Sequence, residues 1–423
     1  MKKNFFFLLF LSFTNSFAQK ADSVERLKLF LNCTSWCFED YVRTELSFFD
    51  FVRDRFQADI QVLIIGQENG AGGSSYTLTF IGQNQFKNRN DTLKFSTKQA
   101  DTEDMIRGQL VKNLKLGLVA YLKNTEWANQ ISIDLPKRAT EKALIQKDKW
   151  DYWVFTPGGW GSLNAETNSL SYSIDLYFDI NRTKPELKVQ SSFGYSTNFS
   201  KFTFESTDDD GNIYSETIKA KNEGHYGNAL VVKSLSEHWA MGGYAQNGSS
   251  VRSNLRLSST IAPAIEYNIF PNSINTQKQF RLIAQAGYRL WHLRSINERD
   301  NLLELEPYYR FDAILSLVQP WGSIGGQIGG HHYFRNQDTY RFTGRININW
   351  RAFEGFNFNL NLGASYVQDQ IFFLPKDINR NNVLLGAGIL GTNFTLWGWG
   401  GISYTFGSIN NSVVNPRFGG IYF

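Results

Sequence analysis

From about residue 150 onward, apolar and polar residues alternate. The stretch "FNFNLNLGASY" (356–366) puts Phe356, Phe358, Leu360, Leu362, Ala364 and Tyr366 on one face, with Asn357, Asn359, Asn361, Gly363 and Ser365 on the other. "YSIDLYFDI" (172–180) sets Tyr172, Ile174, Leu176, Phe178 and Ile180 against Ser173, Asp175, Tyr177 and Asp179, and "RININW" (345–350) repeats the pattern. Period two marks a strand with one face in an apolar and one in a polar environment. Such stretches recur about twelve times: 152–162, 170–182, 187–205, 213–235, 239–251, 254–270, 279–294, 305–319, 322–335, 340–352, 355–372 and 392–407. An even number of long strands with aromatic apolar faces fits a single-chain membrane barrel better than a soluble sandwich. Long polar connections, "ESTDDDGNIYSE" (205–216), "SINERDNLLE" (295–304) and "LPKDINRNN" (374–382), follow odd-numbered strands. Short turns, "PNSINT" and "QPWG", follow even-numbered ones, as expected for an outer and a periplasmic side. Pro263 is a misfit inside its strand and marks a candidate bulge.

The preceding segment has another rhythm. "RLKLFLN" predicts a short strand, and "FEDYVRTELSFFDFVRDRF" a helix with Val42, Leu46, Phe49, Val52 and Phe56 on one face. "IQVLIIGQ" and "SYTLTFIG" predict strands joined by "ENGAGGS", with "DTLKFST" as a third. Asp101 or Thr102 then caps a helix carrying Ile106, Leu110, Leu114, Leu118 and Leu122. The predicted order is β-α-β-β-β-α. "LPKRATEKALIQKDK" (135–149) reads as a polar linker.

Composition narrows the setting. No run of eighteen apolar residues is present, so no helical membrane span is predicted. Aromatic residues make up 15% of the chain beside 35 Gly, which favours many strands over helices. With 43 Lys+Arg against 39 Asp+Glu, no nucleic-acid footprint stands out. Residues 1–18 have the features of a secretory signal: basic Lys2 and Lys3, an apolar run from Phe5 to Phe13, and a small-x-small site at Ser16-Phe17-Ala18. The expected organisation is an α/β periplasmic domain over 19–135, a linker over 136–149, an all-β transmembrane barrel over 150–407 and a periplasmic tail over 408–423. In the last strand, Gly401, Tyr404 and Phe406 match the Gly-x-x-aromatic-x-aromatic core of the signal read by the outer-membrane barrel-assembly machinery. Trp399 stands where that signal is usually polar.

The stretches "FLNCTSWCFEDYVRTEL", "SYTLTFIG", "LKLGLVAYL" and "SYTFGSINNSVVNPRF" give the chain its resemblance to uncharacterised outer-membrane barrel proteins of Gram-negative bacteria with a small amino-terminal periplasmic domain. In element order that domain is similar to the small α/β domains of curli-secretion and Tol-type envelope proteins. The resemblance implies an outer-membrane location and no particular activity. Its partners would be outer-membrane lipid and lipopolysaccharide, the assembly machinery and a periplasmic envelope protein.

Cys33 and Cys37 are the only thiols. In an oxidising periplasm they are expected to pair as a staple between a strand and a helix. Free or regulatory thiols are the next reading. Redox catalysis normally has two intervening residues rather than three, and zinc would need two further ligands when the first histidine is His225. "GQENGAGGSS" (66–75) lacks the Lys-Ser/Thr ending of a phosphate loop and leads into a strand, so it reads as a glycine-rich hairpin. "DDDGN" (208–212) lacks the final carboxylate of a calcium loop and reads as an Asp-Gly turn. His331 and His332 point to opposite faces of one strand, His331 inward.

Charges of both signs fall at inward positions: Asp175, Asp179, Glu266, Glu306 and Asp312 against Arg281, Arg289, Arg310, Arg335 and Arg345. They either line a narrow selective channel or pair across a closed interior. The functional expectation is a non-enzymatic barrel, acting as narrow channel or membrane anchor, whose periplasmic domain docks an envelope partner or gates the lumen. The alternative is a barrel enzyme acting on phospholipid or lipopolysaccharide. No catalytic constellation, metal set or cofactor motif is present to support it.

Overall fold

The structure is a computed structural model and describes residues 26–70, 72–123, 125–132, 148–207, 211, 213–251, 253–296, 300–335, 338–370 and 391–408. The leader (1–18) and most of the linker, the "DDDGN" turn and the tail lie outside those residues.

The amino-terminal segment forms a mixed sheet of β1 (Lys28–Cys33), β2 (Asp50–Phe51), β3 (Ile60–Glu68), β4 (Ser74–Gly82) and β5 (Asn90–Ser96), in the order β2-β1-β3-β4-β5. β1 runs parallel to β2 and β3, and β3, β4 and β5 are antiparallel. Helices α1 (Glu39–Glu45) and α2 (Glu103–Leu122) bury Val42, Leu46, Leu110, Leu114 and Leu118 in one cluster with Leu29, Leu31, Val62, Ile64, Leu78 and Phe80 of the sheet. Thr102 caps α2 by accepting from the Met105 amide at 3.3 Å, and Glu103 and Asp104 complement the positive end of the helix dipole. Gly117 allows the Phe80 ring to lie against α2, because any Cβ there would collide with it.

The helical spacing of Val42, Leu46 and Phe49 overstates α1, which ends at Glu45. The backbone changes state because Phe51 and Val52 are both buried, in opposite directions. Phe51 joins the helix-side core, while Val52 packs with Phe30 and Ala58 on the other side of the sheet. A strand satisfies two consecutive residues facing opposite ways; a helix does not. β2 therefore pairs with β1, and Asp54 caps a following 3-10 turn by accepting from the Phe56 amide at 3.0 Å.

The remaining strands are β6 (Trp153–Glu166), β7 (Ser169–Thr183), β8 (Leu187–Thr207), β9 (Ile213–Ser234), β10 (Trp239–Ser250) and β11 (Leu255–Asn268). They continue as β12 (Lys278–Leu293), β13 (Leu303–Gln319), β14 (Gly322–Tyr333), β15 (Tyr340–Trp350), β16 (Phe356–Val367) and β17 (Phe394–Tyr404). These twelve strands pair in sequence order as one antiparallel sheet. Among the described residues β6 and β17 are its two edges. Pro263 makes no bulge: the β11–β12 register before it (Ile261↔Tyr288) continues unchanged after it (Ala264↔Gln285). The missing N–H interrupts the ladder toward β12, while Pro263 stays opposite Gly243 of β10.

Alternation gives the large sheet two unlike faces. One presents Ile261, Phe311, Ile328, Phe342 and Ile402, exposed by 59–73%. The other carries Asp312, His331 and Tyr333, each at or below 9%. Rings cluster on the apolar side at both strand ends. Tyr309, His332, Phe334, Tyr340 and Tyr366 lie at one end. Trp153, Phe155, Phe178, Trp239, Tyr267, Phe353, Phe356 and Tyr404 lie at the other.

Candidate functional site

The register of β7 and of β11 to β15 sets most of the charged inward candidates on the polar face. Arg310 donates through Nε and Nη2 to Asp312 at 2.6 and 2.7 Å, and Gln327 donates to the same carboxylate at 3.0 Å. Arg281 and Glu266 approach to 3.9 Å. Arg289 donates to Thr260 Oγ1 at 3.1 Å and to Tyr333 Oη at 2.6 Å, and its guanidinium lies 5.0 Å from the Tyr308 ring centre. Glu306 is buried opposite Arg289 in the β12–β13 ladder. Asp179 accepts from Ser192 at 2.5 Å, and Asp175 is half-buried opposite Ser196. Arg345 is exposed, opposite Gln327 and Gly363. Arg335 stands apart, because β14 ends at Tyr333: it is an exposed rim residue donating to the Leu305 carbonyl at 3.1 Å.

The tightest group on this face includes a residue that alternation does not reveal. Asp369, just past β16, meets His331 Nε2 at 2.9 Å and accepts from Arg341 Nε and Nη2 at 2.9 and 2.7 Å. Burial pushes the Asp369 carboxyl up, but the hydrogen bond from His331 and the charge and hydrogen bonds of Arg341 outweigh it and hold it below its ordinary value. Arg341 shares the register of His331 and was findable by parity. Asp369 follows the end of a strand, where parity stops. Among the described residues no three His, Cys, Asp or Glu side chains are grouped to hold a metal ion.

At the opposite end of the strands, the small sheet meets the turns of the large one. Arg351, in the turn between β15 and β16, donates Nη1 to Asn32 Oδ1 at 3.0 Å and stacks its guanidinium 5.2 Å from the Phe30 ring centre. Its carbonyl accepts from Arg55 at 3.2 Å. Asp54 accepts from the Gly355 amide, and Gln57 donates to Glu354. Gln61, at the start of β3, donates to the Pro320 carbonyl in the β13–β14 turn at 3.1 Å. At the far end of the β3–β4 hairpin, Gly70 lies so close to Thr183 that a Cβ would overlap its side chain. The glycine-rich stretch is thus a close-approach point against the large sheet. Gln61 and Leu63, on the β3 face turned away from the helices, are 1% and 2% exposed, so the small sheet is buried on both sides. Burial disfavours the charged form of Arg351 and lowers its pKa from a high starting value, so the guanidinium stays charged; Asp54 opposes that shift, and Arg55 adds to it.

Cys33 and Cys37 form a disulfide with Cα atoms 6.1 Å apart, tying the end of β1 to the residues before α1. In β17, Gly401 faces Asn359 on the polar side. Tyr404 lies opposite Phe356 and stacks on Phe406, with centroids 6.0 Å apart, in the aromatic group nearest the small domain. No family model, curated protein or solved structure matches the chain.

Proposed function

We propose that the large sheet closes, β6 to β17, into an outer-membrane barrel, and that the amino-terminal domain caps its periplasmic mouth. The observation that carries this reading is the apolar face that the strands of the large sheet present, β9 with its outward Lys219, Lys221 and Glu223 excepted, with no protein layer over it among the described residues. An apolar surface of that extent needs a partner phase, and a bilayer supplies one. The aromatic groups at both strand ends support the same setting. Tyr340 and Trp350, at opposite ends of β15, are ten residues apart. That is about 34 Å along the strand, or about 26 Å along the axis of a strand tilted by roughly 40°. An apolar band between aromatic girdles has about this height.

The cap follows from where the small domain touches. Thr183 ends the second strand of the large sheet and Pro320 follows the eighth. In a ring of twelve these turns are diametrically opposed. A ring of twelve strands about 4.8 Å apart and tilted by roughly 40° has a diameter of about 24 Å. β3 and its hairpin, from Gln61 to Gly70, reach about 30 Å. The strand is long enough to lie as a bar across the mouth. With the paired charges inside, the resting protein is a closed barrel whose domain holds the entrance.

Single-channel recording in a planar bilayer tests the proposal. The full chain is expected to stay closed and a chain lacking residues 19–149 to open. Steady conductance in both forms would end the capping proposal. Closure in both would leave the paired interior as the barrier and the protein as an anchor for its domain.

A further inference from the structure

A second site lies where the domain meets Arg351. A cavity of about 210 Å³ is lined by Arg43, Arg53 and Arg351, with Glu39, Phe30 and Cys33 completing part of its wall. Arg43 pairs with Glu39 through Nη2, yet its Nε is buried without a hydrogen-bond partner among the described residues. Arg53 Nε is in the same state. Arg351 spends one nitrogen on Asn32 and lays its flat face on Phe30. The surrounding charges are Arg43, Arg53, Arg55 and Arg351 against Glu39 and Asp54. Both Asp54 oxygens are engaged by the amides of Phe56 and Gly355. The site therefore holds a surplus of two positive charges, with an unused Nε–H donor on three of these guanidinium groups, Arg43, Arg53 and Arg55, among the described residues.

Buried donors without acceptors are costly, and guanidinium forks match the oxygens of a phosphate group, whose charge as a monoester at neutral pH is between one and two negative units. We infer that this cavity binds a phosphate-bearing group, wedged between the amino-terminal domain and the β15–β16 turn. Its two sides belong to different parts of the chain, so an occupant ties the domain to the large sheet. The Cys33–Cys37 disulfide holds the end of β1 beside the start of α1, and so sets Glu39 and Arg43 relative to Phe30. The inference rests on the docked arrangement and not on whether the barrel conducts.

Calorimetric titration of the purified full chain tests it, with inorganic phosphate as one probe and nanodiscs containing phosphatidic acid, against phosphatidylcholine alone, as the other. Saturable binding is expected to weaken roughly tenfold in Arg53→Gln, as the loss of one charge-assisted hydrogen bond requires. Arg53→Lys should restore part of it. Arg256→Gln, a substitution in β11 of the large sheet, should bind like the parent. Binding of free phosphate with this pattern identifies a soluble phosphate group. Binding of phosphatidic acid alone, with the same dependence on Arg53, identifies a lipid headgroup. Absence of binding to either probe, or equal binding by the parent and Arg53→Gln with unchanged thermal midpoints, would overturn the inference and leave a water-filled gap. These results are separable from the conductance experiment, which concerns the mouth and not its phosphate affinity.

Discussion

The two sheets of this chain use the same residue types in opposite ways. In the small sheet, Val62, Ile64, Leu78 and Phe80 are fully buried beneath two helices. In the large sheet, Ile328 and Ile402 are more than 70% exposed, and the buried side chains include His331, Glu306 and Asp312 beside Tyr333, Trp291 and Leu293. The first sheet follows the rule for a water-soluble domain. The second inverts it, which is the expected state of a strand whose outer face meets lipid. The difference teaches that hydrophobicity alone does not say where a residue points; the surrounding phase decides what counts as inside.

Substitutions that treat the two sheets alike should therefore have unlike effects. The largest is Val62→Asp, which places an unpaired carboxylate in the helix-covered core. A loss above about 4 kcal/mol is expected, enough to abolish the cooperative unfolding transition of the small domain in calorimetry. Ile328→Arg is the matching change on the large sheet. Refolded into bilayers it should cost about 2–4 kcal/mol if that face meets lipid near the midplane, and under about 0.5 kcal/mol if it meets water. Denaturant titration in vesicles distinguishes the two, and the smaller value would break the comparison.

The junction comes next. Arg351→Ala removes the hydrogen bond to Asn32 and the stacking on Phe30, a loss of about 1.5–3 kcal/mol in docking. Faster hydrogen exchange in β1 and β3, with no change in β12 to β14, is the expected signature. Cys33→Ser with Cys37→Ser should lower the stability of the small domain by about 2 kcal/mol or less, because the loop closed is short. Its thermal midpoint should fall while that of the large sheet does not.

The smallest effect is local and depends on pH. Asp369 has a folded pKa below that of an unfolded carboxyl, near 3.9. Its contribution is fully present above that value and is lost as pH falls through the lower, folded one. Hydrogen exchange around β14 to β16 should therefore accelerate only in acid, and Asp369→Asn should abolish this dependence.

Much of the large sheet is legible in the sequence. Period-two alternation locates its strands to within a few residues because each strand needs only its own two faces to be unlike. The same parity placed His331 and Arg310 on the polar side. It did not find Asp369, whose side chain reaches His331 only because β14, β15 and β16 are neighbours and the chain turns beyond Val367. It also kept Arg335 among the inward charges, although the strand carrying that parity ends two residues earlier. In the small domain, helical spacing groups Val42, Leu46, Phe49, Val52 and Phe56, but only the first three share one core: the helix stops where Phe51 and Val52 face opposite sides of a sheet, and Phe56 is exposed.

The cysteine pair shows the division in miniature. Their spacing within four positions, and the strand before and helix after them, are local facts, and local facts survive in the sequence. The arginine-lined cavity is not local: Arg43, Arg53 and Arg351 are brought together by a helix, a loop after β2 and a turn almost three hundred residues away. The sequence by itself determined the strand count and the two faces of the large sheet and most of the small domain's core, because these depend on periodicity within single elements; it did not reveal β2. Only tertiary structure decided which turns the domain meets, which charges pair and which arginines share a cavity, because those depend on distances that no periodicity encodes.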